Sequence, residues 1–167
     1  MTAQRQERNG GRPGSAFIAW LSGAAAAGIG LAAHAATTER LVADRTTGLA
    51  IGGFDPVAYF TDAQPLVGQP GFEAAEAGAI WRFRNQGNRA FFLAHPEIYS
   101  PQFGGYDPTD LARGVPFAGN PRFWLISGQR LFLFGRTETR DAFAADPSRV
   151  LREAKQRWPA LQQTLAR

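Results

Sequence analysis

Two stretches of equal length decide the fold: Phe72–Pro96, FEAAEAGAIWRFRNQGNRAFFLAHP, and Phe123–Pro147, FWLISGQRLFLFGRTETRDAFAADP. Set side by side at an offset of 51 residues, with no gap, they are identical in 6 of 25 columns. The identities are Phe72/Phe123, Phe83/Phe134, Arg89/Arg140, Phe92/Phe143, Ala94/Ala145 and Pro96/Pro147, while Ile80/Leu131 and Trp81/Phe132 match in kind. They fall on aromatic positions and on the proline that stops a helix, where a repeated packing unit would keep them. In each stretch, alternation of apolar and polar residues around a Gly predicts a hairpin. The turns are expected near Ala77-Gly78 and Ser127-Gly128. A short helix follows in each, Asn85–Ala94 and Glu138–Ala145, ended by Pro96 or Pro147. A lone hairpin is marginal, so the two units are expected to pack around a shared aromatic core. The fold class is therefore α+β: a small antiparallel sheet from two hairpin–helix units, with about three short helices.

Outward from these units the chain is punctuated by turn formers. Gly52-Gly53 and Asp55-Pro56 precede the first unit, and Asp55 is placed to cap a helical turn opening at Pro56. Gln64–Gly71 and Pro101–Pro121 are rich in Gly and Pro and read as loops. After Pro147, Ser148 is a candidate cap for a last helix whose Val150, Leu151, Ala154 and Trp158 form one apolar stripe. Pro159 should end or kink that helix.

The N-terminus reads as an address. Residues 1–14 are polar and carry Arg5, Arg8 and Arg12; Ala16–Ala33 is an apolar run; Ala33-His34-Ala35 is a small-residue cleavage site. This is the three-part pattern of a secretory signal. Residues 1–35 are expected to be removed between Ala35 and Ala36, giving a periplasmic or secreted bacterial protein with no membrane span left. An uncleaved N-terminal anchor is the lesser alternative. A lead-in over 36–48, a domain over 49–160 and a tail over 161–167 complete the predicted organisation.

The 167 residues are 44% apolar and 12% aromatic, enough for a real core. Net charge is +4, of which residues 1–35 hold +2 (three Arg less one Glu). The remaining +2 lacks the dense basic stripe of a nucleic-acid binder. There is no Cys, so disulfides, thiolate metal sites and a Cys nucleophile are excluded. No G-x-S-x-G, H-E-x-x-H or phosphate-binding loop occurs. Beyond residue 35 there is one His, His95. It stands at a helix end, with Asp146 as its counterpart in the second unit. A helix terminus is a favourable place for either side chain to meet backbone groups. An acid–base set of Asp55 and His95, as in a small hydrolase or isomerase, is a secondary reading. Tyr59, Tyr99 and Tyr106 flank Gly/Pro loops. With Asp55 they are candidate ligand-binding residues, since apolar walls with a few polar groups make a typical small-molecule pocket.

Two segments resemble a known family. Gly53-Phe-Asp-Pro-Val-Ala-Tyr-Phe60 resembles the opening of exported YHS-domain proteins. Trp81-x-Phe83, Asn88-Arg89, Phe92, Pro96-Glu97, Tyr99, Pro101 and Phe103-Gly-Gly-Tyr106 resemble that family's central signature, and the similarity runs from Leu49 to Trp158. The resemblance implies a small, presumed metal-binding module related to Cys-rich metal-sensing domains. Exported members commonly read G-G-Y-C at the signature, and here the fourth residue is Asp107. That departure removes the soft ligand, so copper or zinc handling is in doubt. His95 and Asp107 remain as candidate ligands for a metal ion. The expectation is an exported, non-catalytic binding or accessory domain whose partner is an unidentified small molecule, metal ion or protein. A metal-handling protein, a small acid–base enzyme and a protein-interaction module with an exposed apolar patch are the alternatives.

Overall fold

The computed structural model describes residues 40–165. The expected signal over 1–35 and its expected cleavage site lie outside the described residues. Residues before the expected boundary at Leu49 also belong to the fold. Val42 N–H donates to the Gly104 carbonyl, Ile51 N–H donates to Val42, and Ala43 bridges Ala50.

The element order is α1 (Ala58–Thr61), β1 (Gln69–Glu76), β2 (Ala79–Phe83), α2 (Gln86–Ala94), α3 (Pro96–Tyr99), α4 (Pro108–Ala112), β3 (Asn120–Ser127), β4 (Arg130–Phe134), α5 (Thr137–Ala145) and α6 (Pro147–Leu165). Single 3₁₀ turns at Ile51–Gly53 and Gln102–Gly105 precede α1 and α4. The class is α+β, with six helices among the described residues. The hairpins do not join into one sheet, however. Each is a separate antiparallel pair, β1–β2 and β3–β4. Their tight turns take φ > 0 at both central residues, Ala77 and Gly78 in one, Gly128 and Gln129 in the other. This is the backbone hand that matches strand twist. Their registers superimpose at the same offset: Gln69↔Phe83, a bulge, then Glu73↔Arg82; Asn120↔Phe134, a bulge, then Trp124↔Leu133.

The expected single core is in fact two. The first gathers Trp81, Phe83 and Phe92 of the first unit with Leu131 and Leu133 of β4, and Trp124 and Ile126 of β3 pack against it. The second gathers Phe132, Phe134 and Phe143 with Leu111, Val150 and Ala154. Strand β4 therefore serves both cores, its odd-numbered side chains in one and its even-numbered side chains in the other. All four residues Leu131–Phe134 are 0–3% exposed. The second hairpin is a middle layer, with the first unit on one face and α4, α5 and α6 on the other.

The identities of equivalent residues follow from this stacking. On the outer face of the first hairpin, Glu73 and Arg82 form a cross-strand ion pair (Nε–Oε1 2.6 Å). The same positions of the second hairpin, now covered by the first unit, are Trp124 and Leu133. A stack of units keeps its terminal face polar and its internal face apolar. The other end is closed by α6, where Val150 and Ala154 are buried and Leu151, Trp158, Leu161 and Leu165 pack against the second core. Two expectations for this helix are corrected. Asp146, not Ser148, caps it, its Oδ1 accepting from Arg149 N–H at 3.0 Å. Pro159 lies inside the helix without ending it. The proline takes away the partner of the Lys155 carbonyl, and Lys155 is on the solvent side, where water can replace that bond. Leu161 and Leu165 are consequently part of the fold and not a tail.

The stacking makes an asymmetric prediction. Arg82→Leu should change stability by less than about 1 kcal/mol, as surface substitutions do. Leu133→Ala, at the equivalent but internal position, should cost about 2–5 kcal/mol. Chemical denaturation of the two variants checks this.

Candidate functional site

Two buried carboxylates organise the loops where a site was expected. Asp55 is fully buried. Its Oδ1 accepts from Val57 N–H at 2.8 Å and Ala58 N–H at 3.3 Å, capping α1. Its Oδ2 accepts from Arg84 N–H and from Asn88 Nδ2, both at 2.7 Å. One side chain thus ties a helix start to the end of β2 and to α2. Asp107, also fully buried, repeats the arrangement. Oδ1 accepts from Thr109 N–H at 2.8 Å and Asp110 N–H at 3.3 Å. Oδ2 accepts from Gly135 N–H at 2.8 Å and Thr139 Oγ1 at 2.5 Å. Arg84 and Gly135, and Asn88 and Thr139, are 51 residues apart, so the nodes are equivalent. The backbone before each is equivalent too. Ile51-Gly52-Gly53 and Phe103-Gly104-Gly105 all have φ > 0. Gly52-Gly53-Phe54-Asp55-Pro56 and Gly104-Gly105-Tyr106-Asp107-Pro108 are one motif written twice.

The second node carries an extra ion pair. Asp110, 5% exposed as a residue, accepts from Arg136 Nη1 at 2.8 Å and Nη2 at 3.0 Å in a bidentate pair. The hydrogen bond and charge of Asp110 raise the Arg136 pKa further. The same guanidinium lies 5.7 Å from the Phe117 ring centroid, a cation–π distance.

The predicted site residues do not converge on one pocket. Tyr59 is 1% exposed; its hydroxyl donates to the Pro121 carbonyl at 2.9 Å and its ring meets Trp124 edge-on at 5.3 Å. Burial, then the charge of Asp55, pushes its pKa up. Tyr99 is half-buried and packs edge-on against Phe60 at 5.3 Å. Tyr106 is buried against Trp158, with centroids 5.6 Å apart. The His95 ring is 58% exposed at the end of α2, with Nδ1 3.5 Å from Glu97 Oε1. Asp107 already accepts two hydrogen bonds on each oxygen, whereas His95 faces solvent, so the two do not form a ligand pair. Asp55 and His95 are divided in the same way. Among the described residues no group of three or more His, Asp or Glu is placed to hold a metal ion.

One concavity does include a predicted residue. A groove of about 360 Å³ is lined by Leu41, Val42, Ala43, Tyr106, Ala118 and the hairpin turn at Ala77–Ala79, with Asp44 and Arg45 also on its lining. The Asp44 carboxylate accepts from Thr47 N–H (2.7 Å), Thr47 Oγ1 (2.9 Å) and Thr46 N–H (3.0 Å), which hold its pKa down. Sequence reading missed the 41–45 segment, because alternation over so few residues gives no period to detect.

No protein-family model, curated protein or solved structure matches this chain.

The nodes and the buried tyrosine yield two predictions. Asp55→Asn and Asp107→Asn each put an amide donor among groups that are themselves donors, and should cost about 2–4 kcal/mol on thermal or urea unfolding. Tyr59 holds its proton in the fold to higher pH than in the unfolded chain, where it ionises near pH 10. Its contribution is therefore complete below that pH and lost as pH rises above it. Tyr59→Phe should lose about 1 kcal/mol at neutral pH and show a shallower alkaline decline. Urea midpoints at pH 7 and above pH 10 check the pair.

Proposed function

We propose that this chain is an exported, non-catalytic binding or accessory domain of the YHS type, and that the groove beside Tyr106 is its ligand site. The observation that carries the reading is that groove. Its lining is mainly small and apolar, it sits where the family-like Gly-Gly-Tyr signature meets the segment before the first unit, and charged groups stand beside an apolar floor. Such a surface suits a small apolar ligand with one polar end. The buried carboxylates support the non-catalytic part of the proposal. A general base or a hard-metal ligand needs a free lone pair facing the site, and Asp55 and Asp107 give both oxygens to protein donors. Export rests on the polar, Arg-bearing start, the apolar run and the Ala33-His34-Ala35 site. Among the described residues no helix is long and apolar enough to cross a membrane.

Two experiments test the proposal. The full chain expressed in a Gram-negative host should be recovered from the periplasm with Ala36 as its first residue by intact mass; a cytoplasmic product retaining Met1 would remove export. For the groove, a panel of small aromatic and aliphatic carboxylates is titrated while amide shifts are followed by NMR. Shifts should cluster at Ala43, Ala79 and Tyr106. Ala118→Trp, a substitution at an exposed lining residue, should abolish them while leaving the melting temperature within a few degrees. Shifts scattered over the surface, or unchanged by Ala118→Trp, would sink the groove as the site.

A further inference from the structure

The two hairpins are equivalent, yet their outer edges are treated differently. In a two-residue hairpin the residues flanking the turn are hydrogen-bonded to each other and the next pair is not. With turns at 77–78 and 128–129, Glu73 and Ala75 of β1, and Trp124 and Ile126 of β3, point their N–H and C=O groups away from the partner strand. A row of this kind is a template for another strand, and proteins protect it with charge, proline, bulges or a covering side chain. Strand β1 has such protection. Both bulges hold a proline, Pro70 in β1 and Pro121 in β3, but beyond the bulge β1 is charged by Glu73 and Glu76, and Arg89 Nε donates to the outward Glu73 carbonyl at 2.7 Å. Strand β3 has no charge, Pro or Gly from Phe123 to Ser127. Its equivalent arginine, Arg140, is turned to the Asp141 carboxylate instead (3.0 and 3.1 Å). The first unit has Ala90 where the second has Asp141, so the carboxylate that draws the guanidinium off the edge belongs to β3's unit alone.

Burial shows the same edge. β3 and β4 have the same two cores on their faces, but Leu131–Phe134 are all buried while Phe123–Ser127 are all only half-buried. Each strand of this pair has one side without a neighbouring strand, and β3 is the one left half-exposed.

We infer that β3 is a self-association edge, pairing antiparallel with β3 of a second copy about a two-fold axis at Leu125. In this register Trp124 lies opposite Ile126 of the other copy. Each exchanges N–H and C=O with the other, so the outward groups of both residues are used. Phe123 falls opposite Ser127, and Arg122 opposite Gly128, so no like charges meet. Arg122 N–H is already donated to Asn120 Oδ1 at 2.9 Å, which ends the pairing there. Each face continues across the axis, the Trp124/Ile126 side onto its own kind and the Phe123/Leu125 side likewise. This pairing stands independently of the groove and of any ligand.

The absence of Cys makes the test direct. Gln129→Cys in the full chain places one spin label at the exposed turn. Two labels related by the axis are then eight strand positions apart, or about 27 Å at 3.4 Å per residue. Double electron–electron resonance should give a distribution centred there, growing with protein concentration. Asp141→Ala, an exposed substitution that restores the first unit's residue, should free Arg140 to cover the Trp124 carbonyl. It should weaken the pairing about fivefold, the worth of one such hydrogen bond. No intermolecular distance up to millimolar protein, a distribution centred elsewhere, or a 27 Å signal unmoved by Asp141→Ala would each overturn the inference.

Discussion

Everything in this fold hangs on how a buried carboxylate is satisfied. Each of the two aspartates sits where burial would be costly for an unpaired charge, and each is made tolerable by donors on both oxygens. Those donors come from the start of a short helix, the end of a hairpin and the side chain of the following helix. Loops, hairpin and helix therefore cannot be positioned independently. The left-handed tripeptides before each aspartate, with Gly in the second and third places, aim the chain into the node. The loops that follow run back over the surface to begin the hairpin. In the first of them Asp55 N–H donates to Leu66, and in the second Asp107 N–H donates to Phe117.

With the nodes in place, side-chain identity is decided by position in the stack. Equivalent residues of the two units diverge where their surroundings differ. The outer pair Glu73–Arg82 faces water and forms an ion pair, while Trp124 and Leu133 face a core. The trio at the heart of each unit stays aromatic, because its surroundings are alike: Trp81, Phe83 and Phe92 in one, Phe132, Phe134 and Phe143 in the other, with ring centroids 4.8–5.3 Å apart along each chain of contacts.

The repeat, both hairpin turns and the Asp55 cap were readable from residue types and spacing, because local hydrogen bonding decides them, and of the two asparagines at the start of α2, Asn85 and Asn88, it is Asn85 that caps. Asn85 Oδ1 does accept from Asn88 N–H. The equivalence of Asp107 with Asp55 was present in the letters and missed. From Pro56 to Phe72 is 16 residues and from Pro108 to Phe123 is 15. An ungapped comparison that matches the hairpins thus slips by one at the motif. Read alone, Asp107 looked like a lost Cys ligand, and the donors that explain it come from Gly135 and Thr139, far along the chain. The splitting of the core had no local signal either. Leu131-Phe132-Leu133-Phe134 is apolar on both faces, as a doubly covered strand must be, but nothing nearby in sequence says what covers each face. The passage of α6 through Pro159 depended on which side of the helix the proline faced, a tertiary matter.

Strand β4 also ties the two halves together in a way that composition alone would not suggest. A chain made of two independent units would melt in two steps, one unit at a time. Here one wall of the first core is supplied by the second unit's hairpin, so losing the second unit strips the first of Leu131, Leu133, Trp124 and Ile126. The coupling is unequal. The second core is closed by α6 and takes nothing comparable from the first hairpin. The second unit is thus the more self-sufficient partner, and the order in the chain is the reverse of the order of dependence: the half that leaves the ribosome first has to wait for the half that leaves last.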